Sequence, residues 1–201
     1  GTGTPVDEER ISRGNKSGRG ANFICPFTGD AVTADYVKSE GMAGRMGWQL
    51  MVIVAEGKKG RRYVSPSEIH TKIAFSEIPK WRPDFAMSQH PQYMSVTNYG
   101  PKNWSDLFMD RQTIAIDTFM EAIPEVLNAL EDEGYKKALH TYLALGVSRL
   151  ANRQSTSTFW HSSRETVEQV FAMQALPMRW DTAEGNPFSD STGNFLGQVG
   201  Y

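Results

Sequence analysis

The chain of 201 residues is 39% hydrophobic and 22% charged and carries five tryptophans, which excludes the disordered, collagenous and coiled-coil classes and leaves enough chain to bury a sizeable core. Its longest apolar run, residues 50–55, is strand-sized and far short of the roughly 18 apolar residues of a membrane helix, so no membrane partner is expected. The net charge of −2 conceals a change of sign along the chain: residues 10–62 hold ten Lys or Arg against four Asp or Glu, and the flanking regions are acidic.

Gly1 is followed by neither a basic start nor an apolar stretch, so no secretory leader is expected and the chain reads as an excised fragment. Residues 10–20, RISRGNKSGRG, alternate cations with glycine and serine and have no apolar period. Residues 1–20 are therefore expected to be a flexible basic arm, suited to a polyanion such as nucleic acid and equally to simple solvation. Residues 23–25, the turn formers of residues 26–30 and the run AVTADYV predict a short strand, a tight turn and a second short element. Cys25 is the sole cysteine, which excludes an internal disulfide and points to a reducing, cytoplasmic setting. Its CPFTGD context looks like half of a zinc knuckle. Thr28 stands where the second sulfur would be, so Cys25 reads as a buried small hydrophobe and no metal site is expected. Gly41, Gly44 and Gly47 favour a close backbone turn. WQLMVIVAE, GKKG and RRYVS then predict a β-hairpin, and Ser65, Pro66 and Glu68 predict a capped short helix over 66–74. Residues 21–75 thus form a small β-rich subdomain.

Pro79, Pro83, Pro91 and Pro101 forbid long regular structure over residues 76–104, where Trp81, Phe85, Tyr93, Tyr99 and Trp104 predict a packed crossing loop. From 105 to 177 the period becomes helical. A first helix starts at the cap Asp110, carries the stripe Ile114, Phe119, Ile123, Val126, Leu127 and Leu130, and should bend at Pro124. A second follows Gly134 with Tyr135, Leu139, Tyr142, Leu143, Val147 and Leu150, antiparallel to the first across a short connection. Ser162 with Glu165 signals a third, running through Val167, Val170 and Phe171 to Pro177. Residues 178–201 read as an irregular tail unable to hold itself in place. The fold class expected is α+β: a small N-terminal β-hairpin region, then a three-helix region rich in proline and aromatic loops.

His70, His90, His140 and His161 lack metal-ligand spacing, and no nucleophile elbow, phosphate-binding loop or dinucleotide fingerprint is present. NPFS at residues 186–189 looks like the [DNS]PP[YF] loop of amino-methyltransferases, but Phe188 replaces the second proline and an Asn-Pro turn is the better reading. No catalytic residue is assigned, and no cofactor-binding residue can be named. The positive constellation is Arg45, Lys58, Lys59, Arg61 and Arg62 around the hairpin, with Lys16 and Arg19 on the arm and Trp48 nearby. Arg grips phosphate bidentately and Lys offers a mobile point charge, so these seven are the candidate DNA-binding residues. GKKG is equally an ordinary solvated turn.

The segments RGxxxxxG, CPxTGDAVTADYVKSEGMAGRMGWQLMVIVAEGKKGRRYVSP, WSDLFMDRQTIAI, YLALGVSRLANRQST and FAMQALPMRWDTAEGNPFSDSTGNF follow one another over roughly residues 10–196. In that order they resemble the interior of the large adenine-specific DNA methylases of the DUF1156 family, some of which belong to anti-phage defence systems. The resemblance implies methyl transfer from S-adenosylmethionine to adenine N6 in DNA by a Rossmann-like domain. The family's glycine-rich cofactor loop lies upstream of the matching stretch and its DPPY loop downstream, and neither occurs here. The chain is then part of a larger Rossmann-like methyltransferase, inactive in isolation and without a cofactor of its own. Its implied partners are DNA, the rest of the methylase and other defence-system proteins, with exposed apolar faces favouring a homo-oligomer. Some relatives carry a zinc ribbon near the position of Cys25, from which CPFTG departs. The alternative, from another class, is a structural or protein-interaction module of a defence complex without nucleic-acid contact.

Overall fold

In the computed structural model, which describes residues 5–200, the first described residues are helical. Residues 1–4 of the expected arm and residue 201 of the expected tail lie outside the described residues. The α1 helix, Pro5–Arg13, opens on a proline suited to a first helical position and places Arg10 and Arg13 in its last turn, against the negative end of the helix dipole. Gly14 stops it in the left-handed region (φ 56°), its amide donating to the Arg10 carbonyl. The cations of residues 10–13 thus belong to a helix, and only the glycine-rich stretch that follows is irregular.

The chain forms two units, one of residues up to Gly47 with Asn98–Gly100, the other of Trp48–Thr97 with Pro101 onward. In the first, β1 (Phe23–Ile24) pairs antiparallel with β2 (Ala31–Val32), and α2 (Ala34–Met42) is capped by Thr33, whose hydroxyl accepts the Tyr36 amide. Among the described residues of this unit, Ala21 and Val37 are the buried apolar side chains. Gly41 is required by a close approach: a Cβ there would collide with the Tyr99 carbonyl.

In the second unit, β3 (Ile53–Gly57) and β4 (Gly60–Val64) form the expected hairpin. The short helix after it, α3 (Glu68–Ala74), starts later than predicted, because Ser67 rather than Ser65 caps it and the Ser67 amide donates to His70 Nδ1. The proline-rich stretch packs through Met87 and Val96, which join Leu107 and Leu176 in one apolar cluster, while Trp81, Phe85 and Tyr93 stay exposed. The α4 helix, Asp110–Leu127, and α5, Glu133–Ala151, close a second cluster around Ile116, Ile123, Leu127 and Val147. Asp132 caps α5, its carboxylate accepting the Tyr135 amide. Of the predicted α4 stripe, Ile123 and Leu127 are buried, whereas Val126 is 70% exposed.

Two further expectations are overturned. The third helix is instead a hairpin, β5 (Phe159–His161) with β6 (Thr166–Glu168). Ser162 and Glu165, read as a capping box, lie in its turn, with Glu165 at φ 50°, and the flanking Phe159, Trp160, Thr166 and Val167 are strand formers. The tail is also held: it carries α6 (Phe195–Gln198), Phe195 stacks on Phe119 with centroids 4.3 Å apart, and Tyr142 donates from its hydroxyl to the Val199 carbonyl at 2.7 Å. Gly146 on α5 leaves the room that Val199 fills.

Mixed α+β architecture with small antiparallel strand pairs is as expected. Among the described residues no helix is long and apolar enough to cross a membrane. The burial difference on α4 is directly measurable. Ile123→Ala should lower unfolding free energy by about 2–5 kcal/mol in denaturant titration, and Val126→Ala should change it by no more than about 0.5 kcal/mol. Equal losses would mean that α4 packs by another face.

Candidate nucleic-acid interface

The β3–β4 ribbon gathers four of the seven candidate cations because a two-residue turn, Lys58 and Lys59, joins strands that each end on glycine, Gly57 opposite Gly60. Strand alternation divides them. Arg61 and Tyr63 share a face with Val54 and Glu56, and Arg62 lies on the other face with Ala55 and Gly57. Lys58 and Lys59 are exposed at the tip. Gly57 lies against the Arg62 stem: a Cβ there would stand 3.0 Å from Arg62 Cγ and Cδ, so the aliphatic part rests on the ribbon and leaves the residue exposed. Among the described residues, no carboxylate lies within ion-pair distance of Lys58, Lys59, Arg61 or Arg62.

Arg61 differs from its neighbours. It is half-buried, its Nη2 donates to Ser191 Oγ at 3.3 Å, and its guanidinium carbon lies 5.6 Å from the centroid of Trp160. Tyr63 meets the same indole edge-on, at 6.4 Å and 87°, and its hydroxyl donates to Glu165 Oε1 at 2.7 Å. That hydrogen bond, with partial desolvation and the charge of Glu165, holds the Tyr63 phenol above its usual range.

The other three candidates belong to the first unit. Lys16 and Arg19 are exposed on the loop after α1, where Lys16 bridges to Phe23 and Asn22 Nδ2 donates to the Arg19 carbonyl at 2.8 Å. Arg45 is engaged: its Nε and Nη2 each donate to a Glu40 carboxylate oxygen at 2.7 Å. The pair lowers the Glu40 pKa and raises that of Arg45, chiefly through these hydrogen bonds, so Arg45 brings little unmatched charge.

The remaining chemistry-bearing positions are turns. Asn186 Oδ1 accepts the Phe188 amide at 2.9 Å, and the Asn186 carbonyl accepts the Ser189 hydroxyl, an Asx turn formed by the NPFS stretch. The Cys25 thiol is held below its usual range by the Thr28 hydroxyl first and by the Thr28 and Phe27 amides next. Sequence reasoning missed Trp160, Glu165 and Ser191 as partners of the basic ribbon. The aromatic and β-branched residues around Trp160 were the signal for a second ribbon, masked by a helix-capping pattern.

Comparison of the chain with protein-family models, with curated proteins and with solved structures finds no match.

The Tyr63–Glu165 bond has a pH signature. Because the folded phenol pKa is raised, the bond contributes in full below the ordinary tyrosine pKa and is lost as pH rises through the raised value. In a spectrophotometric titration, Glu165→Gln should move one phenolate transition down toward ordinary tyrosine. An unchanged titration would show that Tyr63 does not donate to Glu165 in solution.

Proposed function

We propose that this chain is a DNA-contacting segment of an S-adenosylmethionine-dependent adenine-N6 DNA methyltransferase, and that the β3–β4 ribbon carries the contact. The observation that supports it most is the set of cations at the ribbon tip, Lys58 and Lys59 with Arg62 beside them, exposed and without carboxylate partners among the described residues. A two-stranded ribbon with a basic tip is narrow enough to lie along a groove or backbone, and its charges position the duplex without reading its sequence. The resemblance of its ordered segments to the DUF1156 methylases is what suggests the reaction class. The rest of that methylase and other defence-system proteins are the partners this reading adds.

The described residues do not fit a methyl-donor site. Binding of that cofactor in a Rossmann-like domain uses a strand that runs through a glycine-rich turn into a helix. Here β2 enters α2 through Thr33 and β4 enters α3 through residues 65–67, while the strands pair only as antiparallel ribbons. The reading therefore gives this chain DNA positioning and no step of methyl transfer.

A second reading, a protein-interaction module, is favoured by the apolar surface of the same unit: Met51, Ile69, Ile73 and Ile78 are between 66% and 81% exposed. Salt separates the two. If the ribbon binds phosphates, duplex affinity should fall steeply as salt rises. The combined Lys58→Ala, Lys59→Ala and Arg62→Ala variant should then flatten the slope of log K against log salt by about 0.9 per contact removed. No duplex binding at low salt, with the protein folded, would favour the interaction module.

A further inference from the structure

The geometry points to a division of labour within the ribbon: we propose that Arg61 is a positioning residue that clips the β3–β4 hairpin to the β5–β6 hairpin, while Lys58, Lys59 and Arg62 meet the phosphates. The DNA half of this statement rests on the reading above; the clip does not. Three contacts join the two hairpins, and a fourth ties Arg61 to Ser191 in the C-terminal stretch. The Arg61 guanidinium lies over the Trp160 ring, its Nη2 reaches Ser191 Oγ, Tyr63 packs edge-on against Trp160, and the Tyr63 hydroxyl donates to Glu165 in the β5–β6 turn. Arg61 and Tyr63 stand two residues apart on β4 and so share one face, which is the face turned toward Trp160.

Chemistry explains why arginine serves here. A planar guanidinium stacks on an indole and still donates in its own plane, whereas an ammonium offers a point charge without a flat face. The ribbon needs such a tie, because a two-stranded hairpin alone is marginally stable in water and most of this one is exposed. An untethered ribbon would present Lys58 and Lys59 in many orientations. Held against β5–β6 it presents them in one, which lowers the entropy cost of binding without adding a contact.

Salt dependence and hydrogen exchange of the full chain test both halves. Arg61→Ala, Arg61→Lys and Trp160→Leu should each weaken duplex binding about two- to fivefold, the size expected of an exposed cation–aromatic contact. Each should leave the salt slope unchanged, unlike Lys58→Ala, and each should speed amide exchange in both hairpins. Trp160→Leu alters no charge, and Arg61→Lys keeps the charge but loses the planar guanidinium that lies over the ring. The assignment is overturned if Arg61→Ala flattens the slope as Lys58→Ala does and Arg61→Lys restores it, since Arg61 would then be a phosphate ligand. Should no variant and no wild-type protein bind duplex, the DNA reading fails and exchange alone decides the clip. Faster exchange in β3–β4 on changing Trp160 supports the clip, and unchanged exchange removes it.

Discussion

Five buried polar side chains in a row, Gln154 to Thr158, hold the larger unit together. A polar group removed from water must find a partner, so this strap dictates where other segments lie. The Leu107 carbonyl accepts both the Thr156 amide at 2.7 Å and the Ser155 hydroxyl at 2.9 Å, which ties the strap to the first apolar cluster. Gln154 donates to the Gly185 carbonyl, Thr158 to the Ala183 carbonyl and Thr182 to the Thr156 carbonyl, which ties it to the stretch before the NPFS turn. The strap leaves α5 at one end and enters β5 at the other. Satisfying it therefore places Trp160 two residues beyond Thr158, and Trp160 is the surface on which Arg61 and Tyr63 rest.

Local chemistry made part of this fold legible. The β3–β4 hairpin follows from the branched apolar run before Gly-Lys-Lys-Gly and the extended run after it, and α4 and α5 follow from helical spacing. Where reading failed, two signals competed or the decisive contact was distant in sequence. Ser162 and Glu165 have capping-box spacing, but spacing does not distinguish a helix start from a hairpin turn of the same length; Trp160 and Val167, paired across β5–β6, settle the outcome. The tail has no strong period of its own, and is fixed by a gap at Gly146 and a stack on Phe119 that only the folded chain assembles.

The same division applies to the basic site. That Lys58, Lys59, Arg61 and Arg62 lie near one another is visible in a run of five residues. That they face three ways, to the tip and to either side of the ribbon, follows from strand alternation once the register is known. The neutralisation of Arg45 by Glu40 and the cation–π contact of Arg61 with Trp160 were hidden, because side-chain pairing across a turn or between hairpins leaves no periodic trace. Charge counting overstates such a site: of the seven cations, one is held by a carboxylate and one by an indole, which leaves the tip lysines and Arg62 as the strongest charges on the ribbon.

The proposed role asks little of these residues chemically and much of them geometrically: exposed charge on a narrow ribbon whose orientation is set by a buried strap and an aromatic clip. Electrostatic positioning of this kind needs no pocket. It makes the tip, rather than the helical face of α4 and α5, the part of the molecule that should sense a polyanion. The most direct test is a map of backbone amide chemical shifts as duplex DNA is added to the full chain. The account predicts that the largest changes cluster at Lys58–Arg62 with smaller ones at Trp160; changes confined to α3 or α5, or none at all, would contradict it.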